Sequence, residues 1–419
     1  MAAEIVASLA GGAVLAGWAI YLGSSHAVVG LLGALPFLAQ ALQIPSTWIT
    51  VALGRRRVAL VAIGVARQMY WALVPLPFID IAPEAKQAVL LWAAGVAAIF
   101  AVVGNNAWLA WISDLVPAPI RGRFFGRRAA LGTLGSAIAA LCAAVALDHT
   151  RAHGMSAATG YVLAAASATA CVAGLISTVL MARQHEPAPL ARARAELTLA
   201  TVLEPLRHPA MRRALRYQLV WNGAIGTMAT FVGMHMLQNL HMSFVLFALH
   251  DLGVAIFRVL AAPVWGRAVD RVGARPVLVA CSFGIALIPI LWLFPTPEML
   301  WPILMEIVVS GMLWSGHAVA AFGLPLAVAP VKHRALHLAA FAAAGGVAFA
   351  AASATAGLVA QALPEHVLVG GHALVPYHVL FALSAIGRFA GGVLATRIIE
   401  PRAHPVQDLV RLVAAPLRR

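Results

Sequence analysis

The sequence predicts an all-α polytopic membrane protein, with twelve transmembrane helices in two pseudo-symmetric six-helix bundles. Three observations carry that prediction. Of the 419 residues 62% are hydrophobic and only 11% are charged, against about 25% charged in a soluble domain. The apolar residues fall in runs long enough to cross a bilayer, which takes about 20 residues each. Short matches also recur between the two halves at a nearly constant offset.

Charged and turn residues bound the apolar runs. In the first half the spans lie near 4–22, 28–53, 58–78, 88–113, 129–148 and 160–182. In the second they lie near 214–239, 243–265, 277–295, 299–322, 335–361 and 376–396. No basic residue precedes the first apolar run, so it reads as a retained span and not as a cleaved leader. A long polar stretch separates the sixth span from the seventh. The expected organisation is therefore an N-terminal bundle (1–183), a central linker (184–213), a C-terminal bundle (214–398) and a basic tail (399–419).

The net charge is +14, from 29 basic and 15 acidic residues. In a soluble protein that balance points to nucleic acid, but here its placement decides the meaning. Loops 54–57, 114–128, 183–216, 266–275 and 331–334, with the C-terminal stretch from Arg397 on, hold 24 of the 29 basic residues. The opposite loops hold only Lys86 and Arg151, while Arg67, Arg258 and Arg388 fall within spans. Basic loops stay cytoplasmic, so both termini are expected in the cytoplasm and no nucleic-acid partner is implied. Part of the charge also suits anionic lipid headgroups. Cys142, Cys171 and Cys281 sit singly in apolar runs, with no disulfide framework or CxxC metal site. Neither lysine, Lys86 or Lys332, follows a phosphate-binding glycine loop, and no G-x-S-x-G or H-E-x-x-H occurs. Both facts speak against an ATP-driven pump and an enzyme.

The halves match at three equivalent places. Ala72-Leu73-Val74-Pro75 returns as Ala286-Leu287-Ile288-Pro289, at an offset of 214. Pro117 to Arg121 returns as Pro330 to Arg334, at 213, and Arg183 to Pro187 returns as Arg397 to Pro401, at 214. Between the eighth and ninth spans, Gly266-Arg-Ala-Val-Asp270-Arg271-Val-Gly273-Ala-Arg275 resembles the G-x-x-x-D-R-x-G-x-R/K loop of the major facilitator superfamily. Trp265-Gly266-Arg267 at the start of that loop and four further stretches are similar to a bacterial group within that family. The four are Gly11-Gly12 through Gly23, Trp111 through Pro117, Arg121 through Arg127, and Phe381 through Arg388.

That resemblance implies two parallel repeats with a solute site between them at mid-bilayer, and secondary active transport of a small organic solute in a bacterial inner membrane. Proton coupling, a monomer and no cofactor go with it. Two alternatives stand beside it: a non-transporting scaffold of the same fold, and a Cu(I) transporter using methionine and histidine of the seventh helix, where Trp221, Met228, His235 and Met242 recur every seven residues. For the loops, the resemblance assigns conformational switching to Gly266, Asp270, Arg271, Gly273 and Arg275. Asp114, Arg121 and Arg123 are their expected counterparts in the first half, because there the position matching Asp270 is Val51.

Ionisable groups at bilayer depth are costly and so mark functional candidates. Glu306, Ser310, Trp314 and His317 are spaced 4, 4 and 3 and share one face of the tenth helix. By the resemblance, the first, fourth, seventh and tenth helices line the cavity, which makes this stripe a candidate binding surface. Asn105, Asn106, Trp108 and Trp111 of the fourth helix and Asn222 and His235 of the seventh join it; the two asparagines of the fourth read equally as interhelical hydrogen-bonding groups. Glu306 and His317 are candidate proton carriers, with Asp251 and Arg258 of the eighth helix beside them. Tryptophans, neutral amides and one acid suit a neutral, aromatic or weakly cationic solute.

Overall fold

The computed structural model describes residues 2–115, 121–186, 199–330, 334–369 and 372–400. The chain forms two compact units. One comprises Met1–Ala193 with Gly233–Leu249, the other Arg194–Val232 with His250–Arg419.

The first span is two helices, α1 (Ala2–Leu9) and α2 (Gly12–Tyr21). The chain breaks between them at Gly11–Gly12, where Gly12 takes φ +48°. The second is α3 (His26–Leu38) and α4 (Gln43–Leu53), with Pro36 inside α3 and a tight turn between the two. α5 (Arg55–Gln68) passes into a 3₁₀ turn over Met69–Leu73. α6 (Pro83–Leu115), α7 (Arg121–Ala152) and α8 (Ser156–Ala182) complete the first six. α5 packs on α6, and α1 packs on α7 and α8. Trp18 of α2 is fully buried and donates its indole N–H to Ser167 Oγ of α8 at 3.1 Å.

Part of the expected linker is helical, as α9 (Leu199–Arg207). α10 (Pro209–Met234) ends in a π-turn over His235–Asn239 and is followed by α11 (Phe244–Val272). α12 (Ala274–Ala286) and the short α13 (Ile288–Leu291) form the ninth span, then come α14 (Trp301–Val328) and α15 (Arg334–Ala362). An antiparallel hairpin, β1 (Val367–Val369) and β2 (His372–Leu374), pairs Val367 with Leu374 before α16 (Pro376–Thr396). α12 packs on both α14 and α16.

Among the described residues nine helices are long and apolar enough to cross a membrane, ten if the bent pair α3–α4 counts as one. The other two expected spans, the third and seventh, open on arginines (Arg55–Arg57, and Arg212, Arg213 and Arg216) and change helical pitch before their far ends. The charged stretch 266–272, expected as loop, is helix. α11 continues to Val272, and only Gly273, at φ +94°, makes the turn into α12. The charges mark where the helix leaves the apolar layer; Ala268 and Val272 stay buried and keep it packed. Gly54, at φ +85°, makes the same kind of turn between α4 and α5. Both positions need a conformation that costs other residues.

The internal repeat is visible inside each unit. After the sixth span Glu186 reaches back to the start of the third, its carboxylate 3.8 Å from Arg55 Nε. After the twelfth, Glu400 reaches back to the start of the ninth and accepts from the amides of Arg275 (2.7 Å) and Ala274 (3.2 Å). A carboxylate there meets the positive end of a helix. The Ala-Leu-Val-Pro and Ala-Leu-Ile-Pro matches likewise fall where the third and ninth spans lose regular α-helix.

Candidate functional site

The four residues of the α14 stripe lie on the inner side of the second unit. Glu306, Ser310 and His317 are buried, and Trp314 is half-buried. What brings α11 against this face is a pair of glycines. A Cβ on Gly311 would lie 2.5 Å from Phe257 Cβ and 2.7 Å from Val254 O, and one on Gly253 would lie 2.8 Å from Ile307. Small residues of this kind let two membrane helices approach backbone to backbone.

That approach places His250 of α11 between two carboxylates. Its Nε2 lies 2.8 Å from Glu306 and its Nδ1 3.1 Å from Asp251. The Glu306 side chain is 6% exposed and that of Asp251 56%. Trp292 packs edge-on against the imidazole at 5.7 Å. The arrangement is a line of three titratable groups running from an uncovered carboxylate to a buried one. An imidazole at its centre can take a proton on one nitrogen and release one from the other. Arg258 stands apart, exposed, its carbonyl accepting from Ser315 at 2.8 Å.

One helical turn or more along α14 is a buried aromatic group. His317 stacks on Trp221 of α10 at 4.8 Å, and Trp314 meets His317 edge-on at 5.3 Å. The Tyr217 hydroxyl lies 2.8 Å from His317 Nε2 and 3.2 Å from Ser282. Arg388 of α16 is 3% exposed and sits over the Trp314 ring at 5.9 Å. Its other contacts are long, 3.5 Å to Ile285 O and 3.7 Å to the Met228 sulfur. Asn222 is half-buried one turn from Tyr217 and donates to Gln218 O at 3.0 Å.

The fourth-helix residues lie in the first unit and face different ways. Asn105 is exposed, whereas Asn106 donates to Ser46 Oγ and, at 3.5 Å, to Gln43 O. Trp108 lies under the guanidinium of Arg128 at 4.7 Å. Trp111 is fully buried among Val58, Ala59 and Ile63, and donates to His185 O at 3.1 Å. His235 is buried on the π-turn, 3.2 Å from the Asn239 amide. Among the described residues no three His, Cys, Asp or Glu side chains converge as a metal site. Of the switch residues, Asp270 and Arg271 are exposed on the last turn of α11, and Arg275 donates to Thr396 O at 2.7 Å. Gly266 is helical with open space where a Cβ would be. The side chains of Asp114, Arg121 and Arg123 lie outside the described residues.

A pair that sequence reasoning missed, Asp148 and Arg151, closes the end of the first unit. Both Asp148 oxygens accept amides of the first turn of α11, Phe244 at 2.7 Å and Val245 at 2.8 Å. Arg151 donates to Leu237 O (3.2 Å) and Met242 O (3.3 Å) at the end of the π-turn and beyond. One carboxylate and one guanidinium, a helical turn apart on α7, thus grip both sides of a turn in which His241 takes φ +50°. The available signal was their rarity, since Arg151 is one of two basic residues in the loops of that face.

The model of the Major Facilitator Superfamily matches the chain twice, over residues 1–252 and 223–419. The chain belongs to the major facilitator superfamily. The two matches overlap and together cover the chain. Among solved structures, the nucleoside transporter NupG is 13% identical with a TM-score of 0.67, over 95% of this chain and 97% of that one. The inward-open xylose transporter XylE from E. coli is 17% identical at 0.68, over 98% of each. A D-xylose-proton symporter is 16% identical at 0.66, over 96% and 97%. At these identities the likeness establishes a shared fold, that of a multi-pass membrane transporter. No curated protein matches the chain by sequence.

Proposed function

We propose that this superfamily member is a proton-coupled secondary transporter of a small organic solute. The observation that carries the reading is His250 hydrogen-bonded to Glu306 on one ring nitrogen and to Asp251 on the other. Buried ionisable groups in membrane helices are retained where they carry ions or protons. Here a proton entering at Asp251 passes through the imidazole to Glu306, and its presence there sets the charge beneath the Trp314, His317 and Arg388 group. Trp314, Ser310 and Asn222 in the second unit are the positions we assign to solute contact. They suit a neutral or weakly cationic molecule bearing an aromatic face. Nucleosides and xylose, the solutes named for the fold neighbours, are the first to try.

The distribution of basic loops supports, as part of this proposal, an inner-membrane protein with both termini cytoplasmic, and we take it to act as a monomer. The Asp148–Arg151 grip then lies at the opposite, outer end. Alternating access needs contacts that differ between states, and we assign that role to this grip, with Asp270, Arg271 and Arg275 acting at the basic end.

Proteoliposomes with a pH indicator test the reading. Addition of a transported solute is expected to draw protons across with it. Glu306→Gln should abolish that proton movement while retaining thermal stabilisation by the same solute. Undiminished solute-driven proton flux in Glu306→Gln refutes the coupling role, and the absence of flux with every solute that stabilises the wild type refutes transport.

A further inference from the structure

At the basic end of the second unit the starts of α10 and α12 and the end of α16 enclose a cavity of about 500 Å³, lined by Arg213, Arg216, Arg275, Arg397 and Glu400. Four arginines and one glutamate thus share its lining. That carboxylate is already used, since Glu400 accepts the Ala274 and Arg275 amides at the start of α12. Arg275 donates one Nη to Thr396 O at 2.7 Å, and its buried Nε has no hydrogen-bond partner. Arg213 makes a long contact, 3.4 Å, to Arg397 O. Arg213 and Arg216 are otherwise exposed to the hollow, and none of the four arginines is in an ion pair among the described residues. The remaining wall includes Leu394 and Ile399, the latter 43% exposed.

We infer that this cavity is a binding site for the phosphate of an anionic phospholipid headgroup. Topology alone asks only that arginines lie on one side of the membrane; it does not gather four of them around one hollow or leave a buried Nε–H without an acceptor. Guanidinium forks match phosphate oxygens in pairs. Basic pockets between helix ends on this side of a membrane are suited to lipid headgroups. The apolar wall selects a lipid over free phosphate, because a glycerol backbone and the first methylenes of its chains can lie on Leu394 and Ile399. The site shares no residue with the His250–Glu306 line and does not depend on which solute is carried.

Native mass spectrometry on the full chain, with phosphatidylglycerol, phosphatidylcholine or inorganic phosphate added, tests the site. Retention of one phosphatidylglycerol in preference to phosphatidylcholine is expected. Arg213→Gln with Arg216→Gln should weaken it roughly twenty- to thirty-fold, at about 1 kcal/mol for each basic residue. Arg57→Gln with Arg267→Gln, the same loss of charge at exposed positions outside the cavity lining, should leave retention unchanged. Equal loss in both double variants would reduce the effect to net charge and overturn the site. Equal retention of phosphatidylcholine, or displacement by millimolar inorganic phosphate, would overturn the lipid assignment.

Discussion

Asp148→Ala removes both acceptors that hold the first turn of α11 to α7. A carboxylate at that position satisfies two amides, at 2.7 and 2.8 Å, and complements the helix dipole. Loss of such a cap costs about 1–2 kcal/mol, and loss of the charge adds about 0.3–1 kcal/mol. A sum of about 2 kcal/mol shifts an open–closed equilibrium roughly 30-fold toward the open form. The reporter is Met242→Cys, placed where the native side chain is 5% exposed, in a chain whose Cys142, Cys171 and Cys281 are replaced by serine or alanine. Labelling by a membrane-impermeant maleimide, added from the face opposite the basic loops, should accelerate ten- to thirty-fold in Asp148→Ala. Lys86→Gln, the other basic residue in the loops of that face, serves as the control and should label at the parent rate. A labelling rate in Asp148→Ala within twofold of the parent would refute the latch, because the carboxylate would then not be holding the turn.

The glycine contact beneath the titratable line is testable by bulk. Gly311→Leu must push α14 from Phe257 and Val254; overpacking of this kind costs about 1–3 kcal/mol, and a fall in Tm of several degrees with loss of solute-driven proton flux is expected. Unaltered flux would show that close helix approach does not position His250. Ser384→Ala removes a buried hydroxyl that donates to Ala224 O at 2.6 Å. About 1 kcal/mol or less should be lost, read as a Tm shift of a few degrees with flux retained; a collapse in flux would show that this contact does more than join α10 to α16. Asp251→Asn, at the uncovered end of the line, should slow proton uptake at limiting proton concentration and spare the saturated rate, whereas equal slowing at both would place Asp251 off the proton path.

What the sequence reveals here is what lies on one helix. The 4, 4, 3 spacing of Glu306, Ser310, Trp314 and His317 needs only the α-helical period, and the structure places all four on the inner side of the second unit. The contact of His250 with Glu306 joins residues 56 apart on two helices. It depends on how closely Gly253 and Gly311 let those helices approach, which no single-helix pattern encodes. Trp111 and Asn106 show how residue type leaves the partner open: Trp111, a candidate for solute contact, donates to His185 O, and Asn106, which reads equally as a solute or an interhelical donor, donates to Ser46 within the first unit. The loop boundary near 266 was misplaced because charge marks the edge of the apolar layer while helical hydrogen bonding runs on to Val272. The pairing of Glu186 and Glu400 with the third and ninth helices was foreshadowed by the matched Arg-x-x-Glu-Pro segments. Their partners, Arg55 and the α12 amides, required the fold.

The first compact unit does not end where the sixth helix ends; it includes Gly233–Leu249. Gly17 of α2 packs against Phe244, and Asp148 and Arg151 spend their polar atoms on residues 237–245. During synthesis, therefore, the first six helices emerge with these groups uncovered and wait for more than fifty further residues before they are capped. The two halves carry matched short segments, yet they are not interchangeable folding units. The earlier one is finished only by a segment of the later one, and a chain cut after residue 193 would carry its exposed Asp148 and Arg151 to whatever surface next offered a helix end.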